Sequence, residues 1–213
     1  MRTPLAALLM VMAAAHAHAQ TPAQNPAQNP AQDAAPTTDP TQVRAGSYVL
    51  DAAHGKITWS VSHLGYSTYY GQITDVSGQA DLDPKDPGKN RLTVTIGMGS
   101  INALNETLNR HLQGPDFFDT QKFPTATFTA TLVEPTSPTT ARVAGSLTLK
   151  GVTKPVAFDA TFNRAGLNPI DKRYTVGFDG WAVIKRSDFG VNAFLPAIGD
   201  DVSLRLEGEF KAQ

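Results

Sequence analysis

Residues 124–134 read PTATFTATLVE. Phe128, Ala130 and Leu132 fall on one side of a two-residue repeat, and Thr127, Thr129 and Thr131 fall on the other. Successive side chains of a strand point to opposite faces, so this alternation predicts a strand with one apolar and one polar face. The same period extends both ways along the chain. Upstream, Ile57, Trp59 and Val61 alternate with Thr58, Ser60 and Ser62, and Leu92, Val94, Ile96 and Met98 alternate with threonines and glycines. Downstream come Val143, Leu147 and Leu149, then Val156, Phe158, Ala160 and Phe162, then Tyr174, Val176, Phe178, Ala182 and Ile184. The last run sets Val202, Leu204, Leu206 and Phe210 against Ser203, Arg205, Glu207 and Glu209. In residues 67–83 the apolar phase slips between Ile73 and Val76, as a β-bulge or sharp bend would require. Turn signals at 83–90, 134–140, 150–155 and 164–172 separate the runs. About eight strands with short connections predict an all-β domain, an up-and-down antiparallel barrel or a sandwich.

One segment breaks the period. In NALNETLNRHLQGPDFFD, residues 102–119, Leu104, Leu108, His111 and Leu112 share one helical face. A short helix is expected around 102–113, with Asn102 as N-cap and Gly114-Pro115 as its end. Phe117 and Phe118 would then anchor the segment to the barrel, and Asp116 and Asp119 would hold its turn.

The ends of the 213-residue chain differ in character. Residues 1–19 read as a secretory signal peptide: Arg2, an apolar stretch from Leu5 to Ala15, and Ala17-His18-Ala19 as a cleavage site. Export to the periplasm, with cleavage after Ala19, is the expectation, and full secretion the alternative. Residues 20–46 are rich in Pro, Ala, Gln and Thr and repeat the unit PAQN, so a disordered linker is expected there, with the folded domain over 47–213. There is no cysteine, which excludes disulfides and thiolate chemistry. Beyond the signal, 17 basic residues stand against 19 acidic ones, which is no footprint for nucleic acid. No Lys/Arg cluster suits an anionic membrane surface.

Catalytic and metal motifs are missing. His54, His63 and His111 follow no metal-ligand spacing, and no nucleophile elbow, P-loop or dinucleotide fingerprint occurs. No metal and no cofactor are expected. The inward faces carry Trp59, Phe128, Phe158, Phe162, Phe178 and Phe210, interspersed with Ala126, Ala130, Ala160 and Ala182. An eight-stranded barrel either fills itself with side chains or holds one small ligand, and the alternation fits both.

Several stretches together resemble the YceI family: ITWSVSHLG (57–65), GQITDVSGQADLD (71–83), residues 100–130 with HL, DFFD and FP in order, VAGSLTLKGVTKPVAFDATF (143–162) and KRSDFGVN (185–192). The resemblance spans 47–211. It implies an eight-stranded antiparallel lipocalin-like barrel whose elongated apolar interior holds a polyisoprenoid, a prenyl quinone or a fatty-acid-like lipid, and a binding protein rather than an enzyme. It also brings a homodimer and a membrane electron-transfer neighbour into consideration as partners. The expected ligand contacts are Trp59, Val61, His63, Phe117, Phe128, Leu132, Phe158, Phe162 and Phe178. The family often carries Arg-Asp before the His-Leu pair, where this chain has Leu108-Asn109, so the polar contact of that pair is in question. Two other readings stand beside this one. One is a lipid-acting isomerase or hydrolase using His63, His111, Asp119 or Arg186; the other is a filled barrel acting through protein–protein contact.

Overall fold

A computed structural model describes residues 35–213, so the signal-peptide reading and most of the linker lie outside the described residues. Eleven strands form one continuous antiparallel sheet that closes on itself. They are β1 (Gly46–Leu50), β2 (Lys56–His63), β3 (Ser67–Ile73), β4 (Val76–Leu82), β5 (Arg91–Gly97), β6 (Ile101–Asn102), β7 (Thr125–Pro135), β8 (Thr140–Leu149), β9 (Val152–Leu167), β10 (Tyr174–Lys185) and β11 (Ile198–Ala212). Six of these are halves of three interrupted staves. β1 and β2 both lie along β11, with Leu50 opposite Phe210 and Lys56 opposite Glu207. β4 pairs with β1 and β3 with β2; β5 pairs with β4 and β6 with β3. The result is the expected eight-staved up-and-down barrel, closed where β11 meets β1. Closure through β1 and β11 leaves one short edge among the described residues, at β3 and β6 beside the helix-bearing connection.

The interruption read between Ile73 and Val76 is present and has a visible cause. The Ser100 hydroxyl accepts from the Thr74 and Asp75 amides and donates to the Gly97 carbonyl. Gly97 N–H donates to the Asp75 carbonyl. These bonds replace ladder bonds across two staves, and Ile73 and Val76 both stay buried. A second irregularity had no expectation attached. Between β7 and β8 the register shifts after Ala130, so that Leu132 pairs with Ala144.

One helix, α1 (Glu106–Gln113), stands between β6 and β7. Its N-cap is Asn105, whose side chain accepts from the Leu108 amide, not Asn102 as the sequence suggested. Asn102 is held in β6 opposite Gln72, and its side chain accepts from the Leu104 amide. Leu104 sits outside the helix at φ 56°. The helix ends at Gly114, as expected. The following turn is held by backbone bonds rather than by Asp116 and Asp119 carboxylates: Phe118 N–H donates to Leu112, Asp119 to Gly114 and Phe123 to Asp119. Phe117 is buried in the core.

The folded part begins earlier than residue 47. Thr37 and Ala165 exchange backbone bonds of 2.8 and 2.9 Å. A 3-10 turn follows at Pro40–Gln42, capped by Asp39. Val43 is buried, the Arg44 guanidinium lies 4.2 Å from the Tyr174 ring centre, and Tyr48 Oη donates to the Arg44 carbonyl. The linker boundary drawn at 46 therefore moves back to Thr37.

Candidate functional site

The barrel is not filled. A cavity of about 930 Å³ runs through it, near the upper end of what small-molecule sites occupy. Every stave contributes apolar side chains to its wall, from Ile57, Ile73 and Ile96 through Leu147, Phe158 and Ala182 to Leu204. The phenylalanines meet edge to face: Phe128 with Phe158 at 5.5 Å, Phe162 with Phe178 at 5.8 Å, Phe178 with Phe210 at 6.2 Å. This geometry favours aromatic pairs and fixes their orientation. Ala126, Ala160 and Ala182 also face inward, and their short side chains leave the central space open, while Ala130 is buried in the wall.

Eight of the nine residues expected to contact a ligand line this cavity: Trp59, Val61, His63, Phe117, Phe128, Phe158, Phe162 and Phe178. Leu132 does not. It is 49% exposed, and Val133 lines the wall in its place. The extra residue at the β7 bulge reverses the in–out order, so the alternation that placed Leu132 beside Phe128 fails one residue beyond Ala130. Leu64 and Phe194 also line the cavity without having been anticipated. Both belong to connections between strands, where no period announces which way a side chain points.

The end of the barrel carrying α1 is aromatic. Trp59 stacks on Tyr69 at 6.3 Å, and the His63 ring lies 6.3 Å from the same tyrosine. A Cβ at Gly71 would collide with the Trp59 indole, so the glycine allows the indole to lie against β3. Trp59 Nε1 is the one buried side-chain donor without a partner among the described residues. His111 packs on Phe117 at 5.0 Å and on Phe194 at 5.8 Å. Leu108 and Leu112 from the same helical face complete this end of the lining.

Of the groups named for catalysis, His63, His111 and Arg186 line the cavity and Asp119 does not. Arg186 is buried, and each of its three guanidinium nitrogens donates to a carbonyl, of Gly199, Val191 and Ile198 at 2.8, 2.8 and 2.9 Å. Burial pulls its pKa down, which the Asp200 charge opposes. It clamps the 186–199 connection and also borders the cavity. Asp119 lies off the cavity, and His111 Nε2 faces Asp116 at 3.9 Å across an exposed position. The Leu108-Asn109 departure also resolves. Leu108 adds to the apolar lining, and the Asn109 amide keeps a polar role, accepting from Ala103 N–H at 2.6 Å and donating to Asn102 Oδ1 at 3.2 Å.

Outside the barrel, Asp51, His54 and Glu209 approach one another, but the Lys211 ammonium already sits 2.8 Å from Asp51 and also pairs with Asp171. Lys211 first, then His54, holds the Asp51 carboxyl well below the usual range. This cluster ties the 167–174 connection to the break between β1 and β2.

Comparison with known proteins agrees with this architecture. The family described as the YceI-like domain matches residues 48–210. A UPF0312 protein of Ectopseudomonas mendocina is 35% identical over 170 residues, 79% of this chain and 88% of that protein. Among solved structures, Burkholderia cenocepacia BcnA superposes with a TM-score of 0.68 at 26% identity, covering 77% of this chain and 99% of that one. A domain from Saccharophagus degradans, described as polyisoprenoid binding and implicated in plant cell wall breakdown, shares the fold at a TM-score of 0.60. It is 16% identical, over 80% of this chain and all of that one.

Proposed function

Because this chain belongs to the YceI-like family, we propose that it holds one long-chain isoprenoid or related amphiphilic lipid, prenyl quinones included, along the axis of its barrel. On this reading it is an exported carrier working in the periplasm. The observation that carries the proposal is the unfilled, apolar cavity extending from α1 to the opposite loops. Its lining along β11 runs from Ile198 to Phe210, roughly 40 Å of strand. With staves tilted by about 40°, that is ~30 Å along the axis, a shape for a chain rather than a compact ring. The description of the Saccharophagus degradans domain as polyisoprenoid binding supports the same ligand class.

The energetics suit a carrier. At about 0.8 kcal/mol per buried CH₂, a five-carbon prenyl unit gains roughly 4 kcal/mol at most. Eight such units would exceed the practical ceiling of about 18–21 kcal/mol, so ordering the flexible tail and displacing lining side chains offset much of the gain.

The test is native mass spectrometry of the purified protein, followed by extraction and addition of a prenyl quinone. A co-purified lipid, or one-to-one uptake of the quinone, is expected. An empty barrel that takes up no quinone would overturn the proposal.

A further inference from the structure

We infer that the α1 end of the barrel docks on the surface of a lipid bilayer, and that ligand passes between bilayer and cavity through this end. The inference rests on the lipid-carrier reading above. Three connections meet here: the hairpin turn at 64–66, residues 103–105 leading into α1, and the loop at 190–197. Leu64 N–H donates to Ala197 O at 2.9 Å, Tyr69 Oη donates to Ala103 O at 3.1 Å, and the Phe194 ring packs on His111. These contacts make one continuous rim.

That rim is apolar where it meets water. Leu64, Tyr66, Leu104 and Phe194 are all exposed, Tyr66 and Leu104 at 91% and 90%, and Tyr70 is exposed on the adjoining outer face of β3. Clustered exposure of this kind marks an interaction surface, whereas single exposed apolar residues do not. Leu64, Leu104 and Phe194 adopt φ of 56°, 56° and 60°, a left-handed conformation that favours glycine or asparagine. Large apolar side chains are thus held outward where local backbone preference would choose otherwise.

Charge and continuity decide what the rim meets. Residues 64–74, 96–105 and 189–199 contain no Asp, Glu, Lys or Arg, and the charges that border them, Glu106 and Asp116 against Arg110 and Lys150, balance. An uncharged apolar rim with tyrosines fits the boundary of a neutral bilayer, where phenols sit at headgroup level. Leu64 and Phe194 are about half exposed, and both also line the cavity. Apolar surface therefore runs from the outside of the molecule to its interior, and a hydrocarbon tail could move along it without crossing water.

The test uses the full-length protein and the double variant Tyr66→Ser/Leu104→Asn. Neither position lines the cavity, and asparagine tolerates the left-handed backbone at 104. Flotation with phosphatidylcholine vesicles is measured beside ubiquinone uptake, once from those vesicles and once from an ethanol dispersion. The wild type should float, and the variant's floated fraction and uptake from vesicles should each fall at least about tenfold. Uptake from the dispersion should be unchanged. Equal flotation of the two proteins overturns the docking. So does loss of a concentration-dependent dimer in sedimentation with vesicle binding unmoved, which would make the rim a protein interface. Failure of the wild type to take up ubiquinone from either source, with flotation intact, instead overturns the carrier reading.

Discussion

The two ends of the barrel are built from opposite materials. At the α1 end, an uncharged aromatic and aliphatic rim opens directly onto the cavity. At the other end, the lining is finished by Pro84, Pro87, Asn90, Arg91 and Pro138, and the Thr37–Val43 segment packs alongside. The connection there, DPKDPGKN, alternates charges with prolines. Between the ends the wall is predominantly apolar, with Lys56, Asp179 and Glu207 the charged residues along it. The two mouths of the tube therefore differ in polarity.

The largest expected effect lies between the two mouths, in the wall they share. Phe158→Asp places a carboxylate against Phe128 in the middle of the cavity. Quinone uptake measured by mass spectrometry should be abolished, and stability should drop by about 3 kcal/mol, as for other core phenylalanine deletions. Uptake at the wild-type level would mean that the ligand never reaches the centre, and that the two ends are separate sites.

Next in size is the clamp behind the α1 end. Arg186→Met removes the guanidinium donor from one buried and two half-buried carbonyls, at a cost of about 3 kcal/mol in urea unfolding. Arg186→Lys should recover little, because a point ammonium cannot reproduce the guanidinium fork. Hydrogen exchange should accelerate across 187–199 and remain slow at Tyr48 and Val176, two fully buried residues outside this end. Uniform acceleration would show that the ends are not independent.

The opposite end has a signature in pH. Burial first, then the neighbouring Tyr174, pushes the Tyr48 phenol up to about 12. An unfolded tyrosine ionises near pH 10, so between about pH 10 and 12 the unfolded chain loses a proton that the folded one keeps. The stability from the neutral phenol is full below about pH 10 and is lost as pH rises toward 12, roughly 2–3 kcal/mol in all. Tyr48→Phe gives up the bond to the Arg44 carbonyl, about 1 kcal/mol at neutral pH. It should become the more stable protein above about pH 11. Parallel curves for the two proteins would show that the N-terminal segment is not fastened through this hydroxyl.

Smaller still is the entry to α1. Asn105→Ala removes the bond to the Leu108 amide and should cost about 1 kcal/mol. Asn102→Ala should leave the Asn105 cap in place while loosening the tie of α1 to β6, since Asn102 Oδ1 accepts from the Leu104 amide and from Asn109. The sequence alone places the cap at Asn102, but pairing of Asn102 with Gln72 across the sheet holds it in β6 and leaves the cap to Asn105. The same distinction runs through the molecule. Staves were legible because burial on one face imposes a two-residue period, and even the break at Ile73–Val76 appeared as a slip in that period. The rim was not legible: Leu64 and Phe194 belong to connections whose side-chain directions depend on left-handed backbone and on bonds to distant segments. Arg186 looked like chemistry because charge in a barrel motif is conspicuous, whereas its partners are carbonyls that no side-chain pattern reveals.

The smallest effect belongs to the residue that the alternation misplaced, and it separates wall from exterior on β7. Leu132 and Val133 are adjacent, yet the bulge after Ala130 sends the first to solvent and the second into the cavity. Leu132→Arg should change stability by less than about 0.5 kcal/mol and leave quinone uptake untouched, as for other surface substitutions. Val133→Arg, one position on, carries charge to the cavity wall beside Pro135 and should weaken uptake strongly. If Leu132→Arg proves the more damaging of the two, β7 continues in simple alternation and the bulge is absent. In that case Leu132, and not Val133, would belong to the wall between the two mouths.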